Sequence, residues 1–374
     1  MRITFVTYIY PYPERGYNPG IERVVEEYAR ELVSQGHEIH VITTYRNGGI
    51  EKREEIEGVV LHRISDARFY LGRTGSVFSV DLLSLNYSIR EHRDLLERSD
   101  IVHTFTPIVE KFFSTPLIAH YHHWDEPDNL IEYLYLPTSH RLWKRCFDTA
   151  DTVTAVSEYS ADDLAARGVP RSMIEVAYNG VDTERYSPGE SSIQFSQWDT
   201  VLLYVGPLAE RKGINYLLRA MQKITSEHPD TGLLLIGGGN QAELRHLARK
   251  LGVSKNVQFE GFVSEQDLPD YYRSADIFVF PSLLEGFGLV LVEAMASGLP
   301  IVSTQCTAIP EVVGDAGYLV PGRDGQALSE AINEIISNQS FNRLGKRSLR
   351  RVHNHFSWEE RTKDLVEIYK NVDG

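Results

Sequence analysis

The sequence predicts an α/β protein of two Rossmann-like domains, each a parallel sheet with helices on its faces, and three observations carry that expectation. The first is length: 374 residues exceed a comfortable single core and divide into two domains of about 180 residues. The second is a strand, helix, strand order over residues 2–8, 21–35 and 37–44, which implies a parallel pair with a right-handed crossover. The third is a recurring strand, glycine, helix pattern at residues 200–213 and again at 277–298. That arrangement aims backbone N–H groups and the positive end of a helix dipole at an anion.

Composition narrows the class. With 42% apolar and 24% charged residues the chain is an ordinary globular protein. Its formal net charge is −14 and both halves are acidic, so neither offers the basic surface that nucleic acid demands. Two cysteines, Cys146 and Cys306, make no disulfide framework and match no zinc spacing, which points to a reducing cytoplasm. No charged n-region with a long apolar core opens the chain and no run approaches 18 apolar residues. Neither a signal peptide nor a membrane span is predicted.

In order, residues 2–8 read as a buried strand. Residues 21–35 place Val24, Val25, Tyr28, Ala29, Leu32 and Val33 at helical spacing, with Gly36 as the stop. Gly20, where that helix starts, is either a cap or a point where a ligand meets bare backbone. Residues 59–64 predict a strand, 68–80 a solvated surface loop, 81–98 a helix and 100–105 a strand. Residues 116–125 (PLIAHYHHWD) run a strand into a histidine cluster at the carboxyl end of a parallel sheet, where ligands of open α/β folds collect. His120, His122, His123 and Asp125 are also possible metal ligands, which keeps a metal-dependent hydrolase as an alternative. Residues 151–188 predict a strand, a helix capped by Ser157 or Ser160, and a strand ending at Asn179-Gly180. Asn179, Gly180 and Asp182 read as turn chemistry. The first domain is expected to end at residue 188, with the serine-rich residues 189–198 as a linker.

The second domain, residues 199–356, opens on a strand at 200–205 followed by GPLAERKG, with Gly206 at the strand end and a helix after Gly213. Arg211 and Lys212 would set cations on an anion held there, stabilising charge on a leaving group. Residues 233–236 form a short strand ending in three glycines, 256–263 (NVQFEGFV) a segment ending at Val263, and 276–280 a strand leading into PSLLEGFGLVLVEAMASG at 281–298. There Glu285 and Glu293 flank a Gly-Phe-Gly turn, with a helix starting near Gly288. At 1.5 Å rise per residue they could lie roughly 12 Å apart, wider than the roughly 5 to 9.5 Å of a glycosidase carboxylate pair. Two acceptors gripping hydroxyls at the ends of an elongated ligand with phosphates in its middle suit that spacing, and a nucleotide sugar has that layout. Residues 300–304 predict a strand, 309–324 a turn and strand closing the domain, and 356–372 an amphipathic helix with Trp358, Leu365, Val366 and Tyr369 on one face.

The string EGFGLVLVEAM at 285–295 resembles the E-x7-E signature of the GT4-type retaining glycosyltransferases (glycosyltransferase group 1), and the resemblance spans nearly the whole chain. It implies the GT-B fold: an acceptor domain at 1–188, a donor domain at 199–356, parallel sheets facing a central cleft, and a last helix, 357–374, crossing back onto the first domain. It also implies roles. Glu293 would accept from ribose hydroxyls, and Glu285 with the backbone of Gly286, Phe287, Gly288 and Leu289 would hold the sugar. Arg211 and Lys212 would neutralise the diphosphate beside Gly206, Val263 would face the base, Gly20 would let backbone approach the ligand, and His122 would line the sugar pocket. The family has Gly-Gly where this chain has Pro19-Gly20, and Arg where it has Pro207, for which Arg211 is the candidate stand-in. No acidic nucleophile stands out, which fits the family's front-face mechanism, in which the departing phosphate helps deprotonate the acceptor. No metal is implied, since lysine and arginine supply the positive charge and no Asp-x-Asp triplet is present. The expected partners are a UDP- or GDP-linked sugar and a sugar, glycan or lipid-linked acceptor, with at most peripheral membrane contact. A nucleotide-sugar epimerase on the same fold is the second alternative.

Overall fold

The structure, a computed structural model, describes residues 1–7, 10, 20–45, 52–65, 85–122 and 130–373. The expected surface loop at 68–80, His123, Asp125 and Pro19 lie outside the described residues. By internal contacts the chain divides into two units, Met1–Tyr178 with Trp358–Gly374, and Asn179–Ser357.

In the first unit, β1 (Arg2–Val6) leads to α1 (Gly20–Ser34) and β2 (Glu38–Tyr45). Val24, Val25, Tyr28, Ala29 and Leu32 form the buried stripe of α1. The helix stops as its sequence dictates: Gly36 takes φ +85°, its amide donates to the Val33 carbonyl, and the His37 amide reaches back to Leu32. Those two bonds make a Schellman motif, which a glycine at this position permits without strain. A hairpin follows, β3 (Arg53–Ile56) and β4 (Val59–Ser65), turned by Glu57 and Gly58, both at positive φ, as a tight two-residue turn requires. Then come α2 (Arg93–Glu97), β5 (Ile101–Thr104), β6 (Leu117–Tyr121), α3 (Leu130–Thr149), β7 (Thr152–Ala155), α4 (Glu158–Ala166) and β8 (Ile174–Val176). The sheet runs β3-β4-β2-β1-β5-β6-β7-β8, parallel throughout except for β3. Every residue of β5 and β6 is buried, as strands of a sheet covered on both faces must be.

The second unit comprises β9 (Thr200–Val205), α5 (Ile214–Glu227), β10 (Thr231–Ile236), α6 (Gln241–Lys250), β11 (Val257–Gly261), α7 (Leu268–Arg273), β12 (Ile277–Phe280), α8 (Leu289–Ala296), β13 (Ile301–Thr304), α9 (Ile309–Val313), β14 (Gly317–Val320), α10 (Gly325–Ser337) and α11 (Phe341–His355). Its six strands are all parallel in the order β11-β10-β9-β12-β13-β14. Chain order reverses direction at β9 and β12, and ligands of open α/β folds collect at such a switch point. In the first sheet the same reversal falls between β1 and β5. The final helix, α12 (Trp358–Asp373), belongs to the first unit, where Trp358 sets its ring 5.0 Å from Tyr28 of α1 and Leu365 and Tyr369 are fully buried.

Several expectations shift. The strand expected to end at Asn179-Gly180 stops at Val176, and Ser157 is the cap of α4, accepting the Ser160 amide. The helix expected over 81–98 is broken: a 3-10 turn at Ile89–His92 abuts α2, and His92 sits at φ −100°, ψ 18°. Residues 179–198 are fastened to the second unit and are not a free linker. Arg273 donates to the carbonyls of Ser187 and Arg185, Tyr186 packs on Tyr272, and the Trp198 ring fills the space where Gly232 has no Cβ. The change of unit accordingly falls at 178/179, ten residues before the expected 188. Residues 309–324 do not close the domain, because α10 and α11 follow.

Candidate active site

The carboxyl ends of β9 and β12 are built to touch backbone to backbone. Gly213, the residue before α5, takes φ +69°, and a Cβ there would stand 2.1 Å from the Pro281 carbonyl oxygen. Only glycine fits both the angle and the approach. The Leu283 amide donates to the Arg211 carbonyl at 2.9 Å, stitching the two loops, while Ser303 and Thr304 of β13 donate to the carbonyls of Phe280 and Ser282. Gly206, at the end of β9, is at φ +146°, and the Tyr204 hydroxyl beneath it donates to the Pro207 carbonyl at 2.8 Å. Burial, and after it the Glu285 charge, raises the Tyr204 pKa well above its ordinary value, so the hydroxyl stays a donor.

Lys212 and Glu285 meet across these loops. The Lys212 ammonium lies 2.5 Å from Glu285 Oε1, with side chains only 8% and 11% exposed, and 5.5 Å from the centre of the Phe280 ring. Taking either charge out of water alone would be costly, so each justifies the other. Glu285 is further fixed by its own amide, which donates to the Thr307 hydroxyl at 2.9 Å. Thr307 is held at φ +50°, a strained angle for a β-branched residue. Arg211 is half-buried in the 3-10 turn Glu210–Lys212 just ahead of α5.

Gly288, at φ +91°, precedes α8, and no side chain caps either α8 or α5. First-turn amides of an uncapped helix look to solvent or a ligand. Phe287 is buried with its ring 5.6 Å from Phe356, which anchors the turn between Gly286 and Gly288, and Leu289 is half-buried at the helix start. Glu293 is 1% exposed, one turn inside α8, and its Oε2 accepts the Tyr272 hydroxyl at 2.7 Å. Val263, half-buried, follows β11 beside the exposed Phe262, whose ring lies on Gly238 of the glycine loop after β10. Gly206, Arg211, Lys212, Val263 and Glu285 to Leu289 thus all follow the carboxyl ends of β9, β11 and β12.

The first unit carries Gly20, exposed at the start of α1, and His122, one residue past β6 and half-buried. Behind His122, the rings of His103, Phe105 and His120 cluster with centroids 4.6–5.2 Å apart. Burial drives the His103 pKa down to about 3 and that of His120 well below its ordinary value, so both imidazoles are neutral. Among the described residues no group of three His, Cys, Asp or Glu side chains could hold a metal ion, so the hydrolase alternative gains no support there.

Two family models divide the chain between them, Glycosyltransferase Family 4 over residues 19–185 and Glycosyl transferases group 1 over residues 191–351. The chain belongs to the group 1 glycosyltransferases. An uncharacterized glycosyltransferase of Methanocaldococcus jannaschii is 26% identical to it over 396 residues, covering 99% of this chain and 98% of its own. The GDP-mannose-dependent alpha-(1-6)-phosphatidylinositol monomannoside mannosyltransferase of Mycolicibacterium smegmatis is 32% identical over 219 residues, 54% of this chain and 57% of its own length. Among solved structures, sucrose-phosphate synthase from Thermosynechococcus elongatus matches with a TM-score of 0.81 at 21% identity, covering 99% of this chain and 98% of that one. Anabaena HepE in complex with UDP matches at 0.76 and 20%, covering 99% and 100%. At such identities the likeness is one of fold, and the fold of this glycosyltransferase is GT-B.

Sequence reasoning about this glycosyltransferase missed Tyr272, Thr307 and Tyr204. Each reaches the site through tertiary contact, and a lone Tyr or Thr at a strand or helix end gives no signal of that. Among its described residues no helix is long and apolar enough to cross a membrane.

Proposed function

We propose that this glycosyltransferase moves a hexosyl unit from a UDP- or GDP-linked sugar to a hydroxyl of a glycan, lipid-linked or small-molecule acceptor, with retention of anomeric configuration. The observation that carries the reading is the pair of uncapped helix starts, α5 and α8, at the switch point of the second sheet, with the Lys212 ammonium buried between their loops. Amide groups and a cation converging on one crevice suit a diphosphate. A bound diphosphate competes with Glu285 for that ammonium, and a released Glu285 carboxylate is then an acceptor for sugar hydroxyls. Glu293 accepts from the ribose, and His122 bonds a hydroxyl of the sugar.

As the bond from the anomeric carbon to the diphosphate breaks, negative charge grows on the leaving oxygen, and Lys212 and Arg211 stabilise it. The acceptor oxygen bonds to the same face of that carbon, and its proton passes to the departing phosphate. Those cations do the work a metal would otherwise do, so transfer should proceed in EDTA. The unpaired Cys146 and Cys306 suit a reducing, cytoplasmic setting. The M. smegmatis relative's named use of GDP-mannose and the UDP in the Anabaena complex both favour a nucleoside diphosphate and leave the base to experiment.

The test is a thermal-shift screen of nucleotide sugars, since a donor at a hundred times its Kd adds about 2.7 kcal/mol of stability. A shift with UDP-glucose or GDP-mannose, followed by retention in the product read by NMR, supports the reading. Turnover of donor without any acceptor, giving a new nucleotide sugar, would instead mean an epimerase. No shift with any nucleotide sugar would end the proposal.

A further inference from the structure

A string of buried side chains runs from the last helix to the residue behind His122, and the family signature uses none of it. The Tyr369 hydroxyl of α12 lies 2.7 Å from Nδ1 of His103 on β5, His103 Nε2 lies 3.3 Å from the Thr154 hydroxyl of β7, and Thr154 lies 2.9 Å from Nδ1 of His120 on β6. All four residues are fully buried. His120 and Thr154 are register partners, so the string crosses one face of the sheet beneath α1 and α12. The far nitrogen, His120 Nε2, has no hydrogen-bond partner and sits among rings, with His122 at 4.6 Å and Phe105 at 4.8 Å between centroids.

Proton counting fixes the direction of the string. A neutral imidazole has one donor and one acceptor, and a hydroxyl has one proton to give. If Tyr369 donates to His103, then His103 donates to Thr154, Thr154 donates to His120 Nδ1, and one group is left over, an N–H on His120 Nε2. If the order runs the other way, two groups are left over: the Tyr369 proton, which has no acceptor among the described residues, and a bare lone pair on His120 Nε2. Buried unsatisfied groups are costly, so the first order prevails. An N–H surrounded by aromatic faces gains a weak bond to a ring, and the His122 ring is the nearest.

We infer that Tyr369, His103 and Thr154 act through His120 as positioning residues, orienting the His122 ring by an N–H held on His120 Nε2. This rests on the reading of His122 as a sugar-binding residue, and it gives α12 a part in holding that ring. Phe105, 6.4 Å from His122, and the Ser160 hydroxyl, which donates to the His122 carbonyl at 3.1 Å, hold the other sides.

The experiment uses the full chain with 15N-labelled histidine. Long-range 1H–15N correlation should show His120 protonated at Nε2 and bare at Nδ1. In Thr154→Val the His120 tautomers should mix and the His122 ring signals should shift and broaden, while Thr154→Ser, which keeps the hydroxyl, should restore both. Tyr369→Phe should act like Thr154→Val. A wild-type His120 bare at Nε2 would overturn the proton order, and unmoved His122 signals in Thr154→Val would overturn the positioning role. Neither readout needs a donor, so each stands even if the glycosyl-transfer reading fails. With UDP-glucose and GDP-mannose as probes and water as acceptor, Thr154→Val should lower the rate of release of the nucleoside diphosphate about tenfold and leave donor KM within about twofold, and Thr154→Ser should rescue it. Equal losses in Thr154→Val and Thr154→Ser would overturn the proposal. Binding of neither donor to the wild type would sink the functional reading alone.

Discussion

The two parallel sheets of this glycosyltransferase carry different chemistry. At β9 and β12 the second unit uses glycines, backbone contact and one ion pair, so main chain and charge stand at the crevice. At β5, β6 and β7 the first unit uses neutral imidazoles, a threonine and aromatic rings, joined side chain to side chain beneath the surface. The first arrangement suits a multiply charged ligand, because amides and cations gain most where charge is concentrated. The second suits a ligand of hydroxyls, which needs a fixed ring edge and little net charge. The two units thus differ in the chemistry that their sheets carry.

The comparison can be broken at its glycines, where the largest effect is expected. Gly213→Ala forces a positive φ on alanine and a Cβ into the Pro281 carbonyl, and should cost more than about 3 kcal/mol of stability and abolish donor-induced thermal shifts. Gly36→Ala in the first unit has a positive φ but open space, and should cost only about 1 kcal/mol in a denaturant melt. Equal losses would mean that the angle matters and the loop contact does not.

Next in size is the ion pair. Lys212→Ala leaves Glu285 as a buried, unpaired charge and should cost about 3–5 kcal/mol of stability, with turnover falling more than donor affinity. Lys212→Met with Glu285→Gln should recover most of the stability and none of the turnover. Recovery of turnover would remove Lys212 from the chemistry.

A smaller change separates holding from binding at Glu293. Glu293→Gln keeps an acceptor for Tyr272 and loses the charge, so the fold should stand while donor affinity drops by about 1.5–3 kcal/mol. Unchanged affinity, measured by calorimetry, would show that the ribose lies elsewhere.

The smallest effect is a pH dependence that should be confined to the first unit. There burial lowers His62 to about 4 and His103 to about 3, and holds His120 well below its ordinary value. Because the unfolded chain takes up protons near pH 6.5 and the folded one does not, stability is fully present above 6.5 and is lost as pH falls toward 4 and then 3. Hydrogen exchange at pH 5 should therefore loosen β5, β6 and β7 before β9 and β12. Loosening of both sheets together would show that the histidines are not the cause.

Much of this was legible residue by residue. The buried stripe of α1 and its Gly36 stop, the strand before Gly206 and the helix start at Gly288 all rest on local periodicity and on glycine's freedom at positive φ, which a sequence displays directly. The β3–β4 hairpin also carries a local signal, the Glu57-Gly58 pair between two short runs. The segment at 189–198 reads as polar linker because its serine-rich composition says nothing of the packing of Trp198 on Gly232 in the second unit.

The chain itself determined the two parallel sheets, the glycine loops before α5 and α8 and the E-x7-E string, since all of these depend on neighbours within a few positions. The pairing of Lys212 with Glu285, 73 positions apart, of Glu293 with Tyr272, and of Tyr369 with His103, 266 positions apart, was settled only by the fold. A buried polar group takes whatever partner the packed interior brings within about 3 Å, and that partner is chosen by topology, which no local pattern encodes.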